Sequence, residues 1–126
     1  MTTQGRTVLE RLPGLLVRAE GLAVLGGALA LYFDAGYGWL LLVLLALAPD
    51  LSMLGYLSGT RVGALSYNAA HTYVPPIALG VGGVLGNADL AVQLALIWLV
   101  HIGADRLLGY GLKYPSGFHE THLQRL

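Results

Sequence analysis

Four apolar runs, each about 20 residues long, dominate this chain. They extend from Leu12 to Phe33, Trp39 to Leu57, Val62 to Leu85 and Leu90 to Leu112. About 20 helical residues, rising about 1.5 Å each, cross the roughly 30 Å hydrocarbon layer of a bilayer. The connections between the runs are too short to hold a folded domain. The sequence therefore predicts one all-α domain, an antiparallel four-helix transmembrane bundle, followed by a tail at residues 113–126.

The composition agrees with a chain whose main partner is the lipid bilayer. Hydrophobic residues make up 56% of the sequence and charged residues 11%, against about 45–50% and about 25% in soluble domains. The net charge is zero and no run of Lys and Arg is present, which argues against a nucleic-acid-binding surface. The chain has no cysteine, which excludes disulfides and thiolate metal ligands.

The basic residues predict the orientation. All seven lie near three points of the chain: the start of the first run, the connection between the second and third runs, and the end of the fourth run. They are Arg6, Arg11 and Arg18, then Arg61, then Arg106, Lys113 and Arg125. The other two connections carry only Asp34 and Asp89. Because Lys and Arg concentrate in short cytoplasmic loops, both termini are expected in the cytoplasm.

Two further patterns bear on the ends of the helices. Tyr32, Tyr37 and Trp39 are typical of an aromatic belt at the outer surface. Arg6 and Arg11 ahead of an apolar run also fit a signal peptide, but Arg18 and Glu20 interrupt its hydrophobic core. The alternative of a transmembrane helix is therefore favoured.

Proline and glycine predict breaks and close packing inside the bundle. Pro49 in the second run and Pro75-Pro76 in the third each remove a backbone hydrogen bond, so a kink or interruption is expected at both. The freed carbonyls need other donors. Glycines in the first and third runs predict close helix contacts: Gly26, Gly27, Gly80, Gly82, Gly83 and Gly86.

Ionisable residues from all four runs share one depth, about 9 to 15 Å from the cytoplasmic ends at about 1.5 Å per residue. Charges inside the hydrocarbon are costly and usually functional. His101 and Asp105 are four apart, so they share a helix face, and Asp50 follows the break at Pro49. With His71 they predict a site for a divalent metal: Asp50, His71, His101 and Asp105.

Carboxylates and imidazoles suit zinc, manganese or iron. Supporting polar groups are expected from the neighbouring residues and the tail: Arg18, Glu20, Asn68, Arg106 and His122. Two other interpretations stay open. The charges of the same residues nearly balance, so they also fit a structural ion-pair network. They fit equally a site without metal that relays protons or binds a ligand.

Three stretches resemble a family of small bacterial four-helix membrane proteins known only as a domain of unknown function. They are Pro-Asp-Leu-Ser-x-Leu-Gly-Tyr from Pro49, Tyr-Asn-x-x-His-Thr-Tyr from Tyr67, and the segment from His101 to Tyr114. The resemblance implies an inner-membrane location but no activity. Pro-Asp beside a helix break, together with membrane histidines, is also similar to inner-membrane proteins described as metal-dependent hydrolases.

These patterns favour an integral membrane protein whose Asp/His site, open to the cytoplasm, binds a divalent cation or a polar ligand. One alternative is a membrane-embedded metal-dependent hydrolase acting on a lipid-like substrate. Another is a non-catalytic helper or immunity-type subunit whose polar core only stabilises its fold. The small size of the unit favours a homodimer.

Overall fold

The computed structural model describes residues 7–112, and every regular element in that range is helical. Five α-helices are numbered in chain order, with one 3₁₀ segment between the second and third. The α-helices are α1 (Val8–Asp34), α2 (Trp39–Leu45), α3 (Thr60–His71), α4 (Val74–Leu85) and α5 (Asp89–Leu108), and the 3₁₀ segment is Ala48–Ser58. The predicted all-α class is confirmed. The predicted tail, including His122, lies outside the described residues.

The first and last helices begin and end at local signals. Thr7 caps α1, since its hydroxyl accepts from the Glu10 backbone N–H and the Glu10 carboxylate accepts from the Thr7 N–H. This capping box starts the helix at Val8, before the apolar run begins. Gly109 ends α5 with a φ of 97°, a left-handed conformation that glycine adopts without strain.

Both proline sites interrupt their helices. The second apolar run changes from α2 to the 3₁₀ segment around Pro49, and the third divides into α3 and α4 at Thr72 and Tyr73, just before Pro75. The interruption expected in the third run is therefore confirmed, and the run from Val62 to Leu85 is two helices. Pro75 has no N–H to donate to His71, and the backbone turns there instead.

Among the described residues, the most extensive helix contacts join α1 to α5, α4 to α5, and α3 to the 3₁₀ segment. The closest approach joins Gly21 of α1 to Gly103 of α5. A Cβ on Gly103 would lie 2.8 Å from the Leu25 nitrogen and 2.9 Å from the Gly21 carbonyl oxygen. Only residues without a side chain permit this separation.

The expected glycine contacts are only partly correct. A Cβ added to Gly26, Gly27 or Gly82 would meet no atom within 4 Å, whereas Gly83 packs against Val92. The Gly26 and Gly27 prediction is therefore wrong, because the face of α1 that meets α5 carries Gly21 and Ala28 instead. Composition indicated close packing but not which glycine faces the neighbour.

Tyr32 lies in the core, not in a surface belt. It is fully buried against Ala28, Leu96 and Ile97. Its hydroxyl donates to the Gly38 carbonyl at 2.6 Å and accepts from the Gln93 amide at 3.0 Å. The expected belt role of Tyr32 is wrong, because these two bonds satisfy the phenol inside the protein.

Tyr32→Phe should lower the free energy of unfolding by about 1–3 kcal/mol, because it leaves the half-buried Gln93 amide and the Gly38 carbonyl without the hydroxyl of the buried Tyr32. Thermal unfolding in detergent measures the change. Tyr37→Phe is the matched control, since its hydroxyl bond to the Asp89 carbonyl is longer, 3.3 Å, and exposed. Equal losses in the two variants would contradict the prediction.

Within residues 7–112, three segments are long and apolar enough to cross a membrane: Val8–Asp34, Trp39–Ser58 and Asp89–Leu108. In the second of these, none of the most apolar window is buried inside the protein. Water would solvate such a surface poorly, so the structure is consistent with a membrane protein.

Candidate metal centre

Four side chains from three elements converge on one point. Asp50 comes from the 3₁₀ segment, His71 from the last residue of α3, and His101 and Asp105 from successive turns of α5. One ligand atom from each lies within 4.8 Å of the other three. The sequence-predicted metal ligands are thus brought together by the fold.

The distances within this cluster are short. His71 Nε2 lies 3.0 Å from Asp50 Oδ1 and 3.4 Å from Asp105 Oδ2. His101 Nε2 lies 3.1 Å and 3.3 Å from the same two oxygens. The two Nε2 atoms are 3.1 Å apart. For a tetrahedral zinc site with bonds of about 2.0–2.1 Å, neighbouring ligand atoms are about 3.3 Å apart.

Backbone carbonyls orient both imidazole rings. The His71 Nδ1 N–H donates to the Tyr67 carbonyl at 2.8 Å, and the His101 Nδ1 N–H donates to the Ala46 carbonyl at 2.6 Å. A carbonyl only accepts, so in each ring the proton of the neutral form lies on Nδ1. Each Nε2 then presents a lone pair to the centre of the cluster, as metal-bound histidines do.

Four acceptor atoms therefore face one another in a largely buried space. His71 is fully buried and His101 nearly so, while the side chain of Asp50 is 34% exposed. Lone pairs at such distances repel unless positive charge lies between them. The arrangement requires either a cation among the four atoms or protons on the histidines or the carboxylates.

The helix interruptions supply the carbonyls that hold the site. The Asp50 N–H bonds to Leu47 rather than to Ala46, which leaves the Ala46 carbonyl for His101. Pro75 has no N–H, which leaves the His71 carbonyl for Arg106 Nη2 at 2.6 Å. Donors from α5 thus replace the lost backbone bonds, as membrane helices require.

Comparison with known proteins identifies the family of the chain. A family model described as a domain of unknown function, DUF4260, matches residues 14–126. The chain belongs to this family. No curated protein matches the chain. No solved structure matches it either.

In this DUF4260 chain the predicted supporting residues have different surroundings. Arg106 is buried and holds the His71 carbonyl, and Arg18 lies against Gly109. Glu20 lines a small pocket beside Arg106. Asn68 lies one turn before His71 on α3 but is not among the four clustered groups.

Two residues of the DUF4260 site were not predicted. The ring of Tyr67 stacks on His71 with centroids 3.7 Å apart. Trp98 donates its indole N–H to the Ala70 carbonyl at 2.6 Å, at the end of α3. The position of Tyr67, four residues before His71 on one helix, is a signal that helical spacing offers. Nothing in the sequence pairs Trp98 with Ala70.

Proposed function

We propose that this chain is a multi-pass protein of the bacterial inner membrane that binds one divalent cation, zinc, manganese or iron, between Asp50, His71, His101 and Asp105. The single observation that carries the proposal is the geometry of the two histidines. Both Nδ1 atoms bond to carbonyls, so both Nε2 lone pairs face two carboxylates at 3.0–3.4 Å. Two imidazoles and two carboxylates form a donor set typical of these metals.

The proposed topology is an antiparallel bundle of four crossings, with α2 and the 3₁₀ segment as the second and α3 with α4 as the third. Contacts that pair early residues of one helix with late residues of its neighbour support it. Gly21 meets Gly103 while Tyr32 bonds to Gln93, so α1 and α5 run in opposite directions. The charge bias of the sequence supports cytoplasmic termini.

Elemental analysis of detergent-purified protein tests the cation site. We expect about one first-row metal ion per chain in the wild type, as a four-ligand site implies. Asp50→Asn should lose most of that metal, because a neutral amide replaces a charged ligand. Asp34→Asn, the same change at the end of α1, is the matched control and should keep it. Wild-type protein without metal, even after exposure to zinc, manganese or iron, would contradict the proposal.

Hydrolysis of a lipid-like substrate is a second candidate function. Asp50 is partly exposed, and the residue before it, Pro49, lines an apolar cleft of about 300 Å³. The cleft is lined by Leu45, Ala48, Pro49, Leu79, Leu94, Ile97 and Trp98. A bound divalent metal would activate water there, and the cleft would hold an acyl chain. A non-catalytic helper, by contrast, would lose only stability in the Asp50→Asn variant.

A further inference from the structure

The apolar cleft and the metal centre lie along one face of α5. Four residues of this face follow one another at intervals of three or four: Leu94, Trp98, His101 and Asp105. Leu94 and Trp98 line the cleft, whereas His101 and Asp105 belong to the metal centre. Trp98 precedes His101 by three residues, about 5 Å along the axis. One helical turn thus separates the cleft from the metal centre.

Residues of the cleft wall are also linked to the other two proposed ligands. Pro49 lines the cleft, and Asp50 is the next residue. The indole N–H of Trp98 donates to the carbonyl of Ala70, which directly precedes His71. The cleft wall is therefore connected to all three elements that supply the metal ligands.

The order of cleft and metal centre along α5 matches the order of the parts of a lipid in the inner leaflet. α5 has 20 residues, about 30 Å, which is the thickness of the hydrocarbon layer. Trp98 lies near its middle, and His101 and Asp105 lie about 5–10 Å from its C-terminal end. In the proposed topology that end is at the cytoplasmic surface. The polar centre is therefore on the side of the head groups and the apolar cleft toward the middle of the bilayer.

The depth of the metal centre favours one chemical group. Phosphate head groups lie outside the hydrocarbon layer, whereas the carboxyl end of an acyl chain reaches about 5–10 Å inside the end of α5 more readily. A charged oxygen is costly at this depth unless a cation meets it, and a divalent metal is such a cation.

The proposed metal has room for this additional ligand. The side chains of Asp50 and Asp105 are 34% and 17% exposed, so the centre is not sealed. Zinc expands to five ligands in some sites, and manganese is typically octahedral. Four side chains therefore do not fill the coordination shell of either metal.

We infer that the metal centre and the apolar cleft together bind a fatty acid, with its carboxylate on the metal and its acyl chain in the cleft. A cleft of about 300 Å³ is at the lower end of the range for ligand pockets, which suits one acyl chain rather than the two of a phospholipid. The inference rests on the proposed metal site and deepens it by naming the class of ligand. A fatty acid is also the product that hydrolysis of an acyl ester would leave.

The fluorescence of Trp98 measures the binding, because bromine atoms on a bound acyl chain quench a tryptophan that they contact. The protein has two tryptophans, so Trp39→Phe leaves Trp98 as the only one. This variant, in phosphatidylcholine nanodiscs, is titrated with a fatty acid brominated in the middle of its chain. We expect saturable quenching at about tenfold lower concentration with metal than after chelation, the effect of one metal–carboxylate contact. A brominated alcohol of the same length lacks the carboxylate and should quench equally in both conditions.

Two variants that fill the cleft test the position of the acyl chain. Ala48→Leu adds three carbons from the 3₁₀ segment, and Leu94→Phe narrows the cleft from α5. Each should weaken quenching by the fatty acid, because the acyl chain loses part of its space. Ala23→Leu, at an exposed position of α1, is the matched control and should leave the quenching unchanged. Thermal unfolding and elemental analysis show that each variant keeps its fold and metal.

Equal quenching by the acid and the alcohol in metal-loaded protein would overturn the inference, because the carboxylate would then not reach the metal. The metal proposal itself would stand. Unchanged quenching in both filling variants, with metal retained, would place the acyl chain outside the cleft and also overturn it. Protein that holds no metal would end both proposals, and elemental analysis of the same samples distinguishes that case from the others.

Discussion

Removal of divalent cations by a chelator should lower the thermal stability of the wild-type protein in detergent. Adding the metal back should restore that stability. A ligand that binds only the folded state stabilises it by about 4 kcal/mol when present at about 1,000 times its dissociation constant. Without the cation, the acceptor atoms of His71, His101, Asp50 and Asp105, 3.0–3.4 Å apart, repel one another until the cluster takes up protons. Tryptophan fluorescence during heating measures the shift.

The double variant Asp50→Asn with Asp105→Asn separates a metal site from a structural ion-pair network. Its stability should not respond to the chelator. In metal-free conditions it should be at least as stable as the wild type, because two carboxylates are replaced by amides that donate to the histidine Nε2 atoms. A structural network predicts the opposite, a variant less stable than wild type with or without chelator.

Asp34→Asn is the control for both measurements, since its carboxylate lies outside the cluster. It should respond to the chelator as the wild type does. A wild type indifferent to chelator, combined with a destabilised double variant, would support the structural network and end the metal proposal.

Gly103→Ala should strongly destabilise the packing of α1 against α5. The added methyl group would lie 2.8 Å from the Leu25 nitrogen and 3.1 Å from its Cα. These are backbone atoms that cannot rotate away, so the helices must separate. Overpacking of this kind costs about 1–3 kcal/mol and sometimes more. Thermal unfolding and the elution profile in detergent measure the loss.

Gly27→Ala is the matched control on α1. A Cβ at this position meets nothing within 4 Å, and alanine is a better helix former than glycine by about 0.5–1 kcal/mol. The control should therefore be unchanged or slightly stabilised. A Gly103→Ala variant as stable as Gly27→Ala would mean that the described crossing of α1 and α5 is wrong.

Much of the site could be predicted because its residues carry local constraints. His101 and Asp105 are one helical turn apart, so they necessarily share a face of α5. Charged and imidazole side chains within apolar runs also tend to gather, because each would be costly in contact with lipid. Pro49 and Pro75 marked the helix interruptions, since neither residue can donate a backbone hydrogen bond.

Other features had no local signal. The sequence placed Tyr32 at the surface, yet its hydroxyl bonds to Gly38 and Gln93 in the core. It favoured Gly26 and Gly27 as packing residues, yet α5 meets Gly21. The sequence does not distinguish one glycine of an apolar helix from another. Only the rotation of one helix against its neighbour decides which face packs.

The sequence by itself determined that the chain is helical, that it contains apolar segments of membrane length, and that acidic and imidazole groups interrupt them. These properties follow from hydrophobicity, helical periodicity and the chemistry of single residues. Only the tertiary structure decided that α5 donates to the carbonyls of Ala46, Ala70 and His71 and that both Nε2 atoms face the same two carboxylates. Such pairings join residues far apart in the chain, and their geometry depends on how the interrupted helices pack.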